Sequence, residues 1–179
     1  MTKIEKEFGN IDGQKSFLFI SKAERLQDNI NDTLRCLIGK GMIGAYICLN
    51  KSYKSVCSLL ESKKISTKNL LFIDTLTGSK TELKAKDGVI IISNPSELTS
   101  IALAVTSYAK SNPKNKFILI DALSTLLIYN QPEVVAKFTR QITSLTSSDK
   151  IKVIMFTIES PDDRILSKVE PFFDKIIRL

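Results

Sequence analysis

The chain contains no histidine among its 179 residues. That absence removes the Ser-His-Asp and Cys-His devices, the commonest zinc ligand and the usual general base together. Tryptophan is also missing, and cysteine occurs only at Cys36, Cys48 and Cys57. An odd number with no C-x-x-C pair argues against a disulfide framework or a zinc site. Cys36 and Cys48 sit inside apolar patterns, where a free thiol packs as a small hydrophobe, and all three are read as reduced. Long apolar runs are absent too. Val89 to Ile92 and Phe117 to Ile120 are far shorter than the roughly 20 residues a membrane helix needs. The opening MTKIEKEFGN has no apolar block of the secretory kind. The expectation is a cytoplasmic protein without a membrane partner.

What is present suits one globular unit. A chain that is 43% hydrophobic and 25% charged can bury a core, and its length fits one α/β domain over 1–179, with 1–15 as an N-terminal extension. The formal charge of +7 comes from scattered lysines, gathered loosely at Lys51, Lys54, Lys63, Lys64 and Lys68 and again at Lys80, Lys84 and Lys86. Such a balance favours acidic partners or nucleic acid through long-range attraction. No basic block interleaved with aromatics occurs, so a solvated lysine surface is preferred over a nucleic-acid groove.

Seven short runs rich in β-branched residues alternate with helical patterns: Phe17–Ile20, Ala45–Leu49, Leu70–Ile73, Val89–Ile92, Phe117–Ile120, Val153–Phe156 and Ile176–Leu179. Continuous apolarity marks strands covered on both faces, as in a parallel sheet. Asn94-Pro95-Ser96-Glu97 and Ser160-Pro161-Asp162-Asp163 read as helix starts, with a cap, a proline and an acidic third position. Leu98, Ile101, Ala102, Val105 and Tyr108 then recur at helical spacing, as do Phe138, Ile142 and Leu145. Gly39 and Gly41 close the first long helix and Asn112-Pro113 another. Thr75 to Gly88, polar and lysine-rich, reads as a surface loop. The expected fold class is three-layer α/β: a mostly parallel central sheet of about seven strands, with helices on both faces.

In such sheets ligands bind beyond the carboxyl ends of the strands. After the first strand comes Ser21-Lys22-Ala23-Glu24-Arg25-Leu26-Gln27-Asp28, which contains no glycine. A phosphate loop there would need glycines to turn backbone amides inward, a lysine, and a hydroxyl for magnesium. Ser21-x-x-Glu24 reads instead as a capping box, and Glu24 and Asp28 would repel a triphosphate. Asn50 and Lys51 follow the second strand, and neither can be the carboxylate that orients an attacking water. Asp74 and Ser93 follow the third and fourth. They faintly suggest a phospho-receiver, which fails for want of an acidic pair after the first strand; Asp74 is taken as a turn or capping residue. Four apolar residues delivering Asp121 at a strand end is how a Walker B carboxylate is placed.

The string Ile120-Asp121-Ala122-Leu123-Ser124-Thr125-Leu126 resembles the Walker B region of the RecA/KaiC superfamily of ATPases, where I-D-S-L-S-x-L is typical. Gly44 to Leu49 is similar to that family's second strand, Asn69 to Asp74 to its third, and Phe173 to Leu179 to its closing strand. The order of these segments agrees from about Phe17 to Leu179. The resemblance implies a RecA/KaiC-like P-loop NTPase fold, with Asp121 and Ser124 in the Walker B-like positions. It also maps the family's Walker A loop onto Ser21–Asp28 and its catalytic glutamate onto Asn50-Lys51, where neither signature is kept.

The leading expectation is therefore a pseudo-ATPase: no catalytic residue, no metal, no cofactor, and a protein partner held in a regulatory or scaffold role by a monomer or homodimer. The first alternative is an atypical ATP-binding protein or ATPase of the KaiC/RecA family, in which Lys22, Asn50 and Asp121 converge at the strand ends on ATP and magnesium. The second is a nucleic-acid-binding recombinase relative, suggested by the positive charge and the superfamily.

Overall fold

The structure is a computed structural model in which residues 3–9, 15–111, 115–147, 151–160 and 164–179 are described. Chain order runs α1 (Lys3–Gly9), β1 (Ser16–Ser21), α2 (Leu26–Gly39), β2 (Ile43–Cys48), α3 (Tyr53–Ser62), β3 (Leu70–Asp74), β4 (Glu82–Lys86) and β5 (Val89–Ile91). It continues with α4 (Leu98–Lys110), β6 (Lys116–Asp121), α5 (Leu123–Tyr129), α6 (Pro132–Thr143), β7 (Ile151–Ile158), α7 (Arg164–Val169) and β8 (Lys175–Arg178). The strands form one sheet of order β4-β5-β3-β2-β6-β7-β1-β8. All neighbouring pairs are parallel except β4 with β5. No described helix is long and apolar enough to cross a membrane.

Period-two alternation splits each interior strand between two apolar cores. Leu18, Ile20, Ala45, Ile47, Ile118, Ile120, Val153 and Met155 pack under α4, α5, α6 and α7. Phe17, Phe19, Tyr46, Phe117, Leu119 and Phe156 face α1, α2 and α3 on the other side. Strands buried on both faces need apolar residues at every position, which is why they read as unbroken runs. The second core is aromatic, with Phe19 stacked on Phe156 at 5.0 Å between ring centroids. Gly44 is required there: a Cβ would lie 2.1 Å from the Phe117 ring. Within the stretch read as an N-terminal extension, α1 buries Ile4 and Phe8 against this core, Phe8 lying 5.5 Å from the Phe17 ring.

Three local expectations need correction. Thr75 to Gly88 is not wholly a loop, because it contains β4, an eighth strand, exposed at every position. An edge strand without a buried face carries no apolar signal. Its pairing comes from the two-residue turn Asp87-Gly88, whose φ values of 51° and 77° match the twist of a tight hairpin. The helix expected from Asn94 starts at Leu98 instead. The Asn94 side chain accepts from Ser96 N at 2.9 Å, closing a turn of its own before the helix begins. The third concerns Ser21 and belongs with the site. The helix signals at Asn112-Pro113 and at Pro161-Asp162-Asp163 lie outside the described residues, while α2 does end at Gly39, with Gly41 at φ 74°.

Lys116 opens β6 almost fully buried, and its ammonium donates to Tyr108 O at 3.1 Å and Ala109 O at 2.9 Å. A cation among the last carbonyls of α4 matches the negative end of that helix. It also ties the helix to the strand that delivers Asp121.

Candidate functional site

The carboxyl ends of β1, β2, β6 and β7 meet around Asp121, whose side chain is only 2% exposed. Cys48 of β2 is its register partner, so Tyr46, two residues earlier on the same face, lies diagonally across from the carboxylate. Its hydroxyl donates to Asp121 Oδ2. Leu49 N donates to Oδ1 at 3.2 Å. The Asn50 amide reaches Oδ1 at 3.5 Å and the Asp121 carbonyl at 3.0 Å, and Thr125 Oγ1 donates to the other end of that amide. Both carboxylate oxygens are thus engaged from inside the protein.

Burial raises the Asp121 carboxyl to about 7, against the Tyr46 hydroxyl, Leu49 N and the charge of Lys51, which lower it. The same burial, with Asp121 alongside, pushes the Tyr46 hydroxyl well above its ordinary value, so Tyr46 keeps its proton and serves as the donor. Cys48 is pushed well up by burial and then by Asp121 and Asp74. A thiol held neutral in this way is a weak nucleophile.

The connection from β1 to α2 forms the other wall. Ser21 is still a strand residue, paired with Ile158. Its hydroxyl accepts from Asn29 Nδ2 at 2.8 Å and donates to Lys22 O at 3.0 Å. The expected capping box is therefore not made: the first helical turn begins only at Ala23, with no side-chain cap, and Glu24 is exposed. The turn is a short 3₁₀ segment that runs straight into α2.

Between these walls lies an open pocket of about 200 Å³, lined by Ala23, Leu26, Gln27, Asn50, Lys51 and Asp121 among others. The Lys51 ammonium crosses its mouth to Gln27 Oε1 at 3.1 Å. Of the residues expected from sequence, Asn50 and Asp121 are brought into direct contact. Ser124 sits one step away, its hydroxyl accepting from Ile158 N at 3.3 Å and so fixing the end of β7. Lys22 is exposed and lines no part of the pocket. Among the described residues no cluster of three or more His, Cys, Asp or Glu side chains could hold a metal ion.

Asp74 has the turn-and-cap role read for it. Its carboxylate accepts from Tyr53 N at 2.9 Å, at the start of α3, and from Leu76 N at 2.8 Å. Ser52 adds a side-chain cap to α3 through Ser55 N. Tyr46, Gln27 and Thr125 were not legible as site residues. The only signal for Tyr46 was a tyrosine two positions before a strand end, and its meaning depends on the register between β2 and β6.

No family model matches the chain, and no curated protein matches it. Solved structures do. The uncharacterized protein PH0321 from Pyrococcus horikoshii, described in complex with an unknown peptide, superposes with a TM-score of 0.71 at 13% identity, over 98% of this chain and 81% of that one. The KaiC-like protein PH0186 from Pyrococcus horikoshii OT3 gives 0.62 at 10% identity, over 92% and 70%. A third structure, described as an ATPase domain, gives 0.62 at 10% identity, over 93% and 69%. At such identities the likeness speaks to architecture. The chain has the three-layer fold of RecA/KaiC-type proteins, with a mostly parallel sheet of eight strands.

Proposed function

We propose that this chain is a non-catalytic RecA/KaiC-like module that works by holding a protein partner in a regulatory or scaffold role. The observation that carries the reading is the internal clamp on Asp121. A carboxylate that positions hydrated magnesium needs lone pairs directed outward. Here the Tyr46 hydroxyl donates to Oδ2, and Leu49 N and the Asn50 amide to Oδ1, so inward-facing groups compete with a cation for the carboxylate.

Two further features support it. Residues 21–28 contain no glycine that would let backbone amides wrap a polyphosphate. The strand-end pocket, at about 200 Å³, falls below the roughly 300–1,000 Å³ usual for sites that enclose a cofactor. These features speak against nucleotide and magnesium at this site. Titration calorimetry with Mg-ATP, joined to a phosphate-release assay, tests the reading. Absence of both signals is the expected result; micromolar binding with turnover defeats it.

One observation favours a second reading, nucleotide binding without hydrolysis: Lys51 brings a cation to the mouth of the pocket, close enough to act on Asp121. Under that reading Asp121→Ala abolishes binding. Under ours there is no binding to abolish.

A further inference from the structure

The surface over α4, α5 and α6 departs from the rest of the molecule. Helix α4 is amphipathic: it buries Leu98, Ile101, Ala102, Ala104 and Val105 and turns Thr99, Ser107 and Lys110 to solvent. Yet Leu103 is 55% exposed. Ile128 and Tyr129 at the end of α5 are 76% and 49% exposed, and Val134 at the start of α6 is 46% exposed. These four belong to one neighbourhood. Asn130 Nδ2 bonds Pro95 O at 3.4 Å, which pins the end of α5 against the residues leading into α4, and α6 starts two residues later at Pro132. Helices α4 and α6 pack side by side and leave a groove of about 240 Å³ between them, lined by Leu98, Ala102, Leu103, Val134, Lys137 and Phe138 among others.

Charge selects the occupant. Lys137 is the single charged residue in the lining, and Arg140 stands exposed one turn further along α6. Neither has an ion-pair partner among the described residues. The neighbouring carboxylates are already engaged: Glu133 by Lys168 at 2.7 Å, and Glu97 by the hydroxyls of Thr81, Ser93 and Ser100. An apolar slot between two helices with a basic edge suits a helix laid into the groove. A second copy suits it poorly, because a two-fold contact of this patch with itself brings the same unpaired cations together from chains that each carry +7.

We infer that the α4–α6 groove receives an amphipathic helix of a partner protein, with its apolar stripe on Leu103 and Val134 and carboxylates along the edge facing Lys137 and Arg140. The inference rests on the scaffold reading and names the class of partner that reading requires.

The test uses the full chain and two synthetic helical peptides of about 16 residues, roughly 24 Å long. Both carry leucine at i, i+3, i+7 and i+10; one has glutamates along one flank, its twin lysines. Fluorescence anisotropy should show binding of the glutamate peptide and at least tenfold weaker binding of the twin. Leu103→Asp and Val134→Asp, both at exposed positions and checked for an unchanged melting curve, should each weaken binding about tenfold or more. Lys137→Glu with Arg140→Glu should reverse the preference between peptides. The inference is overturned if neither peptide binds, or if binding ignores these substitutions. It is also overturned if sedimentation gives a dimer that Leu103→Asp splits, since a second copy then owns the face. Peptide binding is measured apart from Mg-ATP turnover, so the two ideas fail separately: turnover removes the scaffold reading, and silence of both assays removes the groove alone.

Discussion

Two strand-end aspartates flank β2 and share one register partner. Asp74 ends β3 and Asp121 ends β6, each after an isoleucine, and each lies opposite Cys48. Both are buried. Their surroundings nevertheless make them different groups. The donors to Asp74 belong to chain segments near solvent, since Leu76 and Thr77 are exposed and Tyr53 is half-buried. Two of the donors to Asp121, the Tyr46 hydroxyl and Leu49 N, are sealed in the core. A strand that ends in aspartate therefore says little about chemistry. What decides it is whether the groups facing the carboxylate can be replaced by water.

The sharpest way to test that difference is pH. Burial lifts Asp121 from an ordinary 3.8 to about 7, which makes its ionised form about 4 kcal/mol less favourable in the folded state than in the unfolded one. Because the folded pKa is the higher, the folded state holds more protons between about pH 4 and about pH 7. Raising the pH through that window therefore lowers stability, and above it the loss is complete. Asp121→Asn cannot ionise and has no such slope. Urea unfolding of both proteins should show the native chain losing on the order of 4 kcal/mol relative to Asp121→Asn between about pH 4 and about pH 8. Parallel profiles would show that Asp121 is as well solvated as an ordinary carboxylate.

Asp74→Ala should come next, at about 2 kcal/mol, and without that pH signature. It strips the acceptor from Tyr53 N at the start of α3, from Leu76 N in the following turn and from the exposed Thr77 hydroxyl, which water can satisfy, so the cost is that of a lost cap plus one turn bond. Water can reach the two backbone donors in part, which limits the damage. Asp74→Asn keeps one acceptor oxygen and should cost about half as much. A loss above about 4 kcal/mol would mean that these donors are sealed too, and the contrast would collapse.

Legibility in the sequence followed the same division between local and long-range causes. The seven apolar runs all became strands; in the six interior ones burial on both faces writes itself into nearly every position, whereas β8, at the sheet edge, leaves Ile176 exposed. The run ending in Asp121 also announced its place at the carboxyl edge, and Asn50 proved to be its neighbour. Strand β4 escaped because its residues touch solvent throughout, although Asp87-Gly88 was a hairpin signal in plain view. The capping box at Ser21 failed because the strand extends one residue further than its apolar run. Tyr46 was invisible as a site residue, since only the pairing of β2 with β6, 75 residues apart at the hydrogen bond, turns its hydroxyl toward the carboxylate. Lys22 stands outside the pocket because the 3₁₀ turn that follows it carries the chain away without wrapping back.

Tyr46→Phe probes the sealed half of the comparison directly. It leaves Asp121 Oδ2 without its donor, in a core where no water substitutes. The carboxyl can escape that cost by keeping its proton, so its pKa should rise further and the penalty should grow with pH. Expected losses are a few tenths of a kcal/mol near pH 5 and about 1.5 kcal/mol near pH 8. A penalty independent of pH would mean that the hydroxyl fills space and does not serve the carboxylate.

The smallest effect belongs to Thr125→Val. Thr125 donates to the Asn50 side chain, whose amide in turn donates to Asp121. Valine keeps the shape and removes only that donor. Asn50 is exposed, so water can take the vacated place on its carbonyl oxygen. The cost should be about 0.5 kcal/mol, too little to matter for the fold, yet the variant is informative in another way. If Asn50 is held by Thr125, its release frees one of the three donors on the carboxylate, and the midpoint of the Asp121 titration should move upward. If the Asn50 amide is fixed by the turn after β2 alone, the midpoint stays where it was. Monitoring the Asp121 carboxyl carbon by NMR over the pH range separates the two. An unmoved midpoint would reduce the sealed clamp to Tyr46 and Leu49 N, which are the two donors that solvent cannot replace.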